Sequence, residues 1–179
     1  FDYGLLRWAS PEEEGLGYDR VFEHLGSSGD NFLGGENLLE HLVYESFKQN
    51  LDLLREKRIQ FTRPLDAQPF AGSEAFLSKT LAAQTNTVKL AAELREFLEG
   101  DRAELRSPIK LDLIDSRGDK HASCEMALDA EALDVLLADR MRRGVEAFLA
   151  ELARLGPDFP IGEPIQVLLS GNGSRSRYI

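Results

Sequence analysis

The spacing of apolar residues divides the chain into short strands and long helices. Phe1-Asp2-Tyr3-Gly4-Leu5-Leu6-Arg7-Trp8 and the stretch Arg20 to Leu25 read as two strands, joined by an acidic, glycine-containing loop from Ser10 to Asp19. From Glu36 to about Arg58, Leu39, Leu42, Val43, Phe47, Leu51 and Leu54 recur at helical intervals, which predicts one buried helical face. Arg63 to Gly72 holds Pro64, Pro69 and a closing glycine and reads as a loop. Ser73 to Glu99 is again helical, in one or two pieces, with Gly100 as its stop.

The second half repeats both periods. After Pro108, Ile109-Lys110-Leu111-Asp112-Leu113-Ile114 alternates apolar and polar, Ser116 to Lys120 is a turn, and His121 to Leu128 completes a hairpin. Asp129 is placed to cap a helix from Ala130 to Leu155, whose stripe is Leu133, Leu137, Met141, Val145, Phe148 and Leu152. Gly156 to Pro164 breaks that helix. Ile165-Gln166-Val167-Leu168-Leu169 then has the apolar character of a strand buried on both faces. The order predicts a mixed α/β fold that opens on antiparallel strands.

Composition narrows the function classes. With 179 residues, 42% apolar and 29% charged, the chain is long enough to bury a substantial core. A formal net charge of −10 argues against general affinity for nucleic acid or an anionic membrane, so a negatively charged ligand needs a local site. Cys124 is the single cysteine, which excludes an internal disulfide and a multi-thiolate metal site. His24, His41 and His121 are scattered and read as structural or exposed, and the acidic groups Glu12-Glu13-Glu14 and Glu99-Gly100-Asp101 as solvated charges. No apolar run reaches membrane-spanning length and no signal-peptide pattern opens the chain, so the expected location is cytoplasmic.

Candidate chemistry lies in two glycine turns. Leu33-Gly34-Gly35-Glu36 precedes one amphipathic helix, and Ser170-Gly171-Asn172-Gly173-Ser174-Arg175 follows the last apolar strand. Glycines lacking a Cβ let backbone N–H groups approach a phosphate, and the partial positive charge at a helix start favours an anion. Gly171 and Gly173, after the apolar strand, would likewise let the backbone pass close to a ligand, with Arg175 nearby. A lone pair of glycines such as Gly34-Gly35 is usually no more than a tight turn into a helix. By itself this reading reaches a helix-terminus anion site on a mixed α/β domain.

The order of elements and the motifs Phe1-Asp2, Gly29-Asp30-Asn31-Phe32-Leu33-Gly34-Gly35-Glu36-Asn37-Leu38 and Val167-Leu168-Leu169-Ser170-Gly171-Asn172-Gly173-Ser174-Arg175 carry a resemblance over nearly the whole chain. It resembles the second lobe of the ATPase domain of 70-kDa heat-shock chaperones, in the actin-like ATPase superfamily. That family has Gly-Asp-Thr-His-Leu-Gly-Gly-Glu-Asp-Phe and Val-Gly-Gly-Ser-Thr-Arg at the corresponding places. The second motif here is one residue longer. The family's diphosphate motif ends in Gly-Gly-Gly-Thr before Phe-Asp, of which Phe1-Asp2 is present here, so the chain reads as a piece of a longer protein.

The resemblance implies a ribonuclease-H-like base from residues 1–50 and 157–179, with a helical and hairpin subdomain inserted at 51–156. It implies ATP or ADP with Mg as cofactors, and hydrolysis coupled to opening and closing of a cleft shared with a first lobe. A co-chaperone or nucleotide-exchange factor would bind the inserted subdomain. Asp2 takes the catalytic role near the terminal phosphate and metal. Gly34, Gly35, Glu36, Gly171, Asn172, Gly173, Ser174 and Arg175 take nucleotide-binding roles. The adenosine-contacting helix departs from the family's Glu, Lys and Ser: Asn86, Lys89 and Glu93 stand in one register and Ala92, Arg95 and Glu99 in another, which makes Lys89 and Arg95 the candidates. Two alternatives stand beside this expectation, a catalytically degenerate nucleotide-binding or protein-interaction module, and a small-molecule kinase of the same superfamily.

Overall fold

The computed structural model describes residues 2–9, 20–99, 105–156 and 166–168. It is a mixed α/β fold with four α-helices and two separate two-stranded antiparallel sheets among the described residues. Strands β1 (Asp2–Ala9) and β2 (Val21–Gly29) pair along their whole lengths, from Asp2 opposite Gly29 to Ala9 opposite Val21. β2 runs past the predicted Leu25 through Gly26-Ser27-Ser28-Gly29, a stretch with no apolar signal whose backbone nonetheless completes the ladder. Gly26 is buried, and a Cβ there would lie 2.9 Å from Glu151 Oε1, so glycine lets the last helix lie close against this strand.

The predicted helix from Glu36 to Arg58 is two helices, α1 (Gly35–Lys48) and α2 (Leu51–Lys57). Asn50 makes the break. Its side-chain amide donates to the Ser46 and Ala127 carbonyls and its Oδ1 accepts from Ala127 N–H, each at 2.8 Å, which turns the chain to meet the second hairpin. Arg58, in the left-handed region at φ 54°, ends α2. The stretch from Ser73 to Glu99 likewise divides into a 3-10 turn, Ser73–Ala75, and α3 (Leu81–Leu98). Between them the Phe61 N–H donates to the Phe76 carbonyl and the Ser78 N–H to the Phe61 carbonyl, both at 2.9 Å. That strand-like pairing competes with helix until Thr80 caps α3 by accepting from Ala83 N–H.

The hairpin β3 (Ile109–Ile114) and β4 (Lys120–Met126) forms as the alternation predicts, with a register shift between Leu111 and Leu113. Ser123 sits at φ 53° in this irregularity, where Asp112 Oδ1 accepts its N–H at 2.9 Å. α4 spans Ala130–Leu155, capped as expected by Asp129, whose Oδ1 accepts from Ala132 N–H. Its stripe changes partners half-way. Leu133 and Leu137 enter the core, whereas Phe148 packs edge-on to Tyr3 at 5.4 Å between ring centroids. Val145, expected on the stripe, is exposed, because the helix rotates its buried face as it passes from the core to the β1–β2 hairpin.

One core joins α1, α2, α3, β3, β4 and the first half of α4, and it is continuous across residue 50. Phe47 and Phe61 stack at 5.7 Å with planes 3° apart at its centre. Cys124 is buried there as a small core residue. Gln166–Leu168 carries no strand, and Val167 and Leu168 are exposed, contrary to the predicted buried strand. A strand apolar on both faces needs ladder partners, and β1 and β2 pair with each other alone among the described residues. The Ser170–Arg175 motif and the Ser10–Asp19 loop lie outside the described residues. No helix among those described is long and apolar enough to cross a membrane.

Candidate functional site

The turn from Asp30 to Gly35 joins β2 to α1. Asp30 Oδ1 accepts the Phe32 N–H at 2.7 Å and its carbonyl accepts from Leu33 N–H at 3.2 Å, a local turn stabilised by the aspartate itself. Leu33 is buried and anchors the turn, and Gly34 then occupies the N-cap of α1 with extended dihedrals, φ −70° and ψ 153°. Gly34 has no side chain to cap the first-turn N–H groups. A Cβ at Gly35 would meet nothing within 4 Å, and Gly35 does not have positive φ. The local fold does not demand glycine at position 35. Asp2 lies opposite Gly29, so the start of β1 and the entry to this turn share one end of the hairpin.

The candidates on α3 face two different neighbours. Asn86 is fully buried, bonded to the Gln60 and Ile114 backbone, and Lys89 donates from Nζ to the Asp112 carbonyl at 2.6 Å. That register is directed at the hairpin. Arg95, two turns on, reaches α1 and gives its Nη2 to both Glu36 carboxylate oxygens, at 2.8 and 3.0 Å. Hydrogen bonding by Glu36 raises the already high pKa of Arg95 further. Glu99, read as a solvated helix-end charge, has a largely covered carboxylate and pairs with the same arginine at 3.5 Å. The structure thus brings Glu36 and Arg95 together and leaves Lys89 on another face. Gly171, Asn172, Gly173, Ser174 and Arg175 lie outside the described residues.

No protein-family model, curated protein or solved structure matches the chain.

A second cluster stands directly behind the glycine turn. His41, on the buried side of α1, has Nε2 2.7 Å from Asp66 Oδ1, and Arg140 of α4 donates to Asp66 Oδ2 at 2.6 Å. Arg140 Nη2 also lies 3.1 Å from His41 Nδ1 and 2.8 Å from its Nε2. Its Nη1 reaches the Phe32 carbonyl at 3.4 Å, and Arg143, almost one turn further, bonds Asp30 Oδ2 at 2.8 Å. Two arginines of α4 therefore hold the turn. Burial alone would push the Asp66 carboxyl up, but hydrogen bonds from Arg140, His41 and Asn37 outweigh it and hold the group well below the usual carboxylate range. Burial lowers the His41 pKa; the charges of Arg140 and Arg143 add to that, and Asp66 opposes them. Glu40, next in the helix, is raised by burial and by the negative charges of Asp66 and Glu36.

The sequence marks His41 only as structural or exposed, and it marks neither Asp66 nor Arg140. The partners of His41 are 25 and 99 residues away, a pairing that no local pattern encodes.

Proposed function

We propose that the chain is the second lobe of an ATPase domain of the 70-kDa heat-shock type, binding ATP and ADP in a cleft shared with a first lobe. Its base would be ribonuclease-H-like, made from residues 1–50 and 157–179, with residues 51–156 inserted. The observation that carries this reading is the Arg95–Glu36 contact. Two residues 59 positions apart, one expected beside the base and one at the phosphate turn, share a bidentate ion pair. The N-terminus of α1 supports it, because Gly34 gives it no side-chain cap and first-turn N–H groups together with the helix dipole favour a phosphate. The open space at Gly35 leaves room for close approach of a ligand to the backbone.

Catalysis in this reading is positioning and charge stabilisation. Asp2 orients the attacking water or accepts its proton, and the donors at Gly34 and Gly35 bind phosphate oxygens. Mg binds nucleotides through phosphates, waters and one or two carboxylates, so the single carboxylate of Asp2 at the hairpin end fits the demand. When bound, the ion neutralises phosphate charge. A nucleotide-exchange factor or co-chaperone would dock on residues 51–156, and the expected compartment is the cytoplasm.

A second reading, a degenerate binding module without turnover, is favoured by Asn86 and Lys89. Both are committed to backbone carbonyls and leave α3 with only Arg95 to serve a nucleotide. Calorimetric titration of MgADP and MgATP, alongside a turnover assay, separates the two. Binding that weakens in Arg95→Ala and Gly35→Val supports a nucleotide lobe, and turnover by the intact protein then selects the ATPase. Absence of nucleotide binding by the intact, folded protein ends both readings.

A further inference from the structure

The His41–Asp66–Arg140 cluster has more organisation than packing requires. Asp66 accepts from Asn37 at 3.3 Å as well as from His41 and Arg140, so one carboxylate ties α1, the 62–72 loop and α4 together. Asp66 can only accept, so His41 Nε2 carries the proton of that bond. Arg140 Nη2 lies within hydrogen-bond distance of both ring nitrogens, 2.8 Å from Nε2 and 3.1 Å from Nδ1, so the uncharged ring is the form that tolerates the guanidinium beside it. The same guanidinium extends to the Phe32 carbonyl, one residue before Leu33-Gly34-Gly35.

We infer that His41, Asp66 and Arg140 form a proton-operated latch on the turn that carries Gly34 and Gly35. A second ring proton makes His41 a cation and places two cations within hydrogen-bond distance of each other, in a site mostly closed to water. Among the described residues Asp66 is the only anion bonded to both, through separate oxygens, and the repulsion falls on the Arg140 Nη2 that meets the ring. The other charged groups around the ring come from two elements. Glu40 on α1 adds negative charge, while Arg143 on α4 adds positive charge that Asp30 partly offsets. Arg140 is displaced from the Phe32 carbonyl, while the Arg143–Asp30 ion pair between α4 and the turn stays in place. The turn loosens without detaching. This latch regulates the nucleotide site of the proposed function, and it rests on that reading only for its consequence.

The purified protein tests this by NMR between pH 8 and 5. The His41 ring protons should titrate with a midpoint below the ordinary histidine value, and the amides of Leu33, Gly34 and Gly35 should shift with the same midpoint. The exchange protection of the Leu33 amide, which donates to the Asp30 carbonyl, should fall across that step. In His41→Gln, whose amide can donate to Asp66 and accept from Arg140 without titrating, the step should vanish. A ring titration that leaves the three amides unmoved overturns the latch, as does a step retained in a folded His41→Gln protein. If MgADP binds, its affinity should drop over the same pH interval, and an unchanged affinity overturns the regulatory consequence. If MgADP binds at no pH, the nucleotide reading fails while the amide shifts still decide the latch.

Discussion

Asn86 pairs with the backbone of Ile114 as a neighbouring strand would, donating from Nδ2 to its carbonyl at 2.7 Å and accepting its N–H on Oδ1 at 2.8 Å. A further bond to the Gln60 carbonyl at 3.0 Å makes this fully buried side chain the junction of α3, β3 and the segment after α2. Asn50 does the same for Ala127 at the other end of the second hairpin. Buried amides with all their partners present fix a single arrangement of the elements they join. Replacing Asn86 by Ala strands three backbone groups, and the expected loss is about 3 kcal/mol, at about 1 kcal/mol for each unmade bond. Urea unfolding measures it, and a loss below ~1 kcal/mol would show that the junction is dispensable.

The stacked pair Phe47 and Phe61 anchors the core that α1 shares with the middle of the chain. Phe47→Ala should destabilise by about 3–5 kcal/mol, whereas Leu149→Ala, on the exposed side of α4, should stay within about 0.5 kcal/mol. Comparable losses at the two positions would mean that the α4 surface is covered in solution.

Stability should depend on pH through His41. Its pKa is lowered in the folded protein, so the unfolded chain binds more protons just below pH 6.5, and stability rises with pH there. The contribution is complete above the unfolded value and is lost as pH falls through the folded value. Subtracting the unfolding free energy of His41→Gln from that of the wild type at each pH isolates this group. The difference should favour the wild type more at pH 7.5 than at pH 5, and the opposite slope would show that Asp66 raises the histidine instead.

Gly35→Val separates binding from folding. Because Gly35 has open space at its Cβ position and no positive φ, the substitution should leave the melting temperature within a few degrees, the shift expected for about 1 kcal/mol or less. Nucleotide affinity should fall, since the new side chain occupies the approach to the helix N-terminus. A variant that binds MgADP as tightly as the wild type would place the ligand elsewhere.

Asp2→Asn acts at a later stage. In the intact protein it should lower ATP hydrolysis by on the order of a hundredfold with affinity nearly unchanged, as expected of a positioning or acid–base group. Under the proposed two-lobe reading, the 179-residue chain alone should show no appreciable turnover. Arg95→Ala removes the exposed Glu36 pair and unpairs the largely covered Glu99, so a melt of the variant must accompany its nucleotide titration, and a loss of affinity in a variant that melts like the wild type reports the ligand.

The sequence by itself determined the elements whose signals are local. Asp129 before an apolar period of three and four fixed the start of α4, and the alternation in Ile109–Ile114 fixed β3, because caps and side-chain periodicity act within one or two turns. It also showed the glycine turn at Gly34 and Gly35. Tertiary structure decided the rest. Asn50 broke a continuous helical period because its amide found Ala127, far along the chain, and Phe76 left its expected helix to pair with Phe61. The two α3 registers looked alike in sequence, and only packing directed Asn86 and Lys89 to the hairpin and Arg95 to Glu36. His41, Asp66 and Arg140 carry no shared local pattern. They become a cluster because three elements bury their polar ends at one point, where each charge must find a partner or forfeit its hydration.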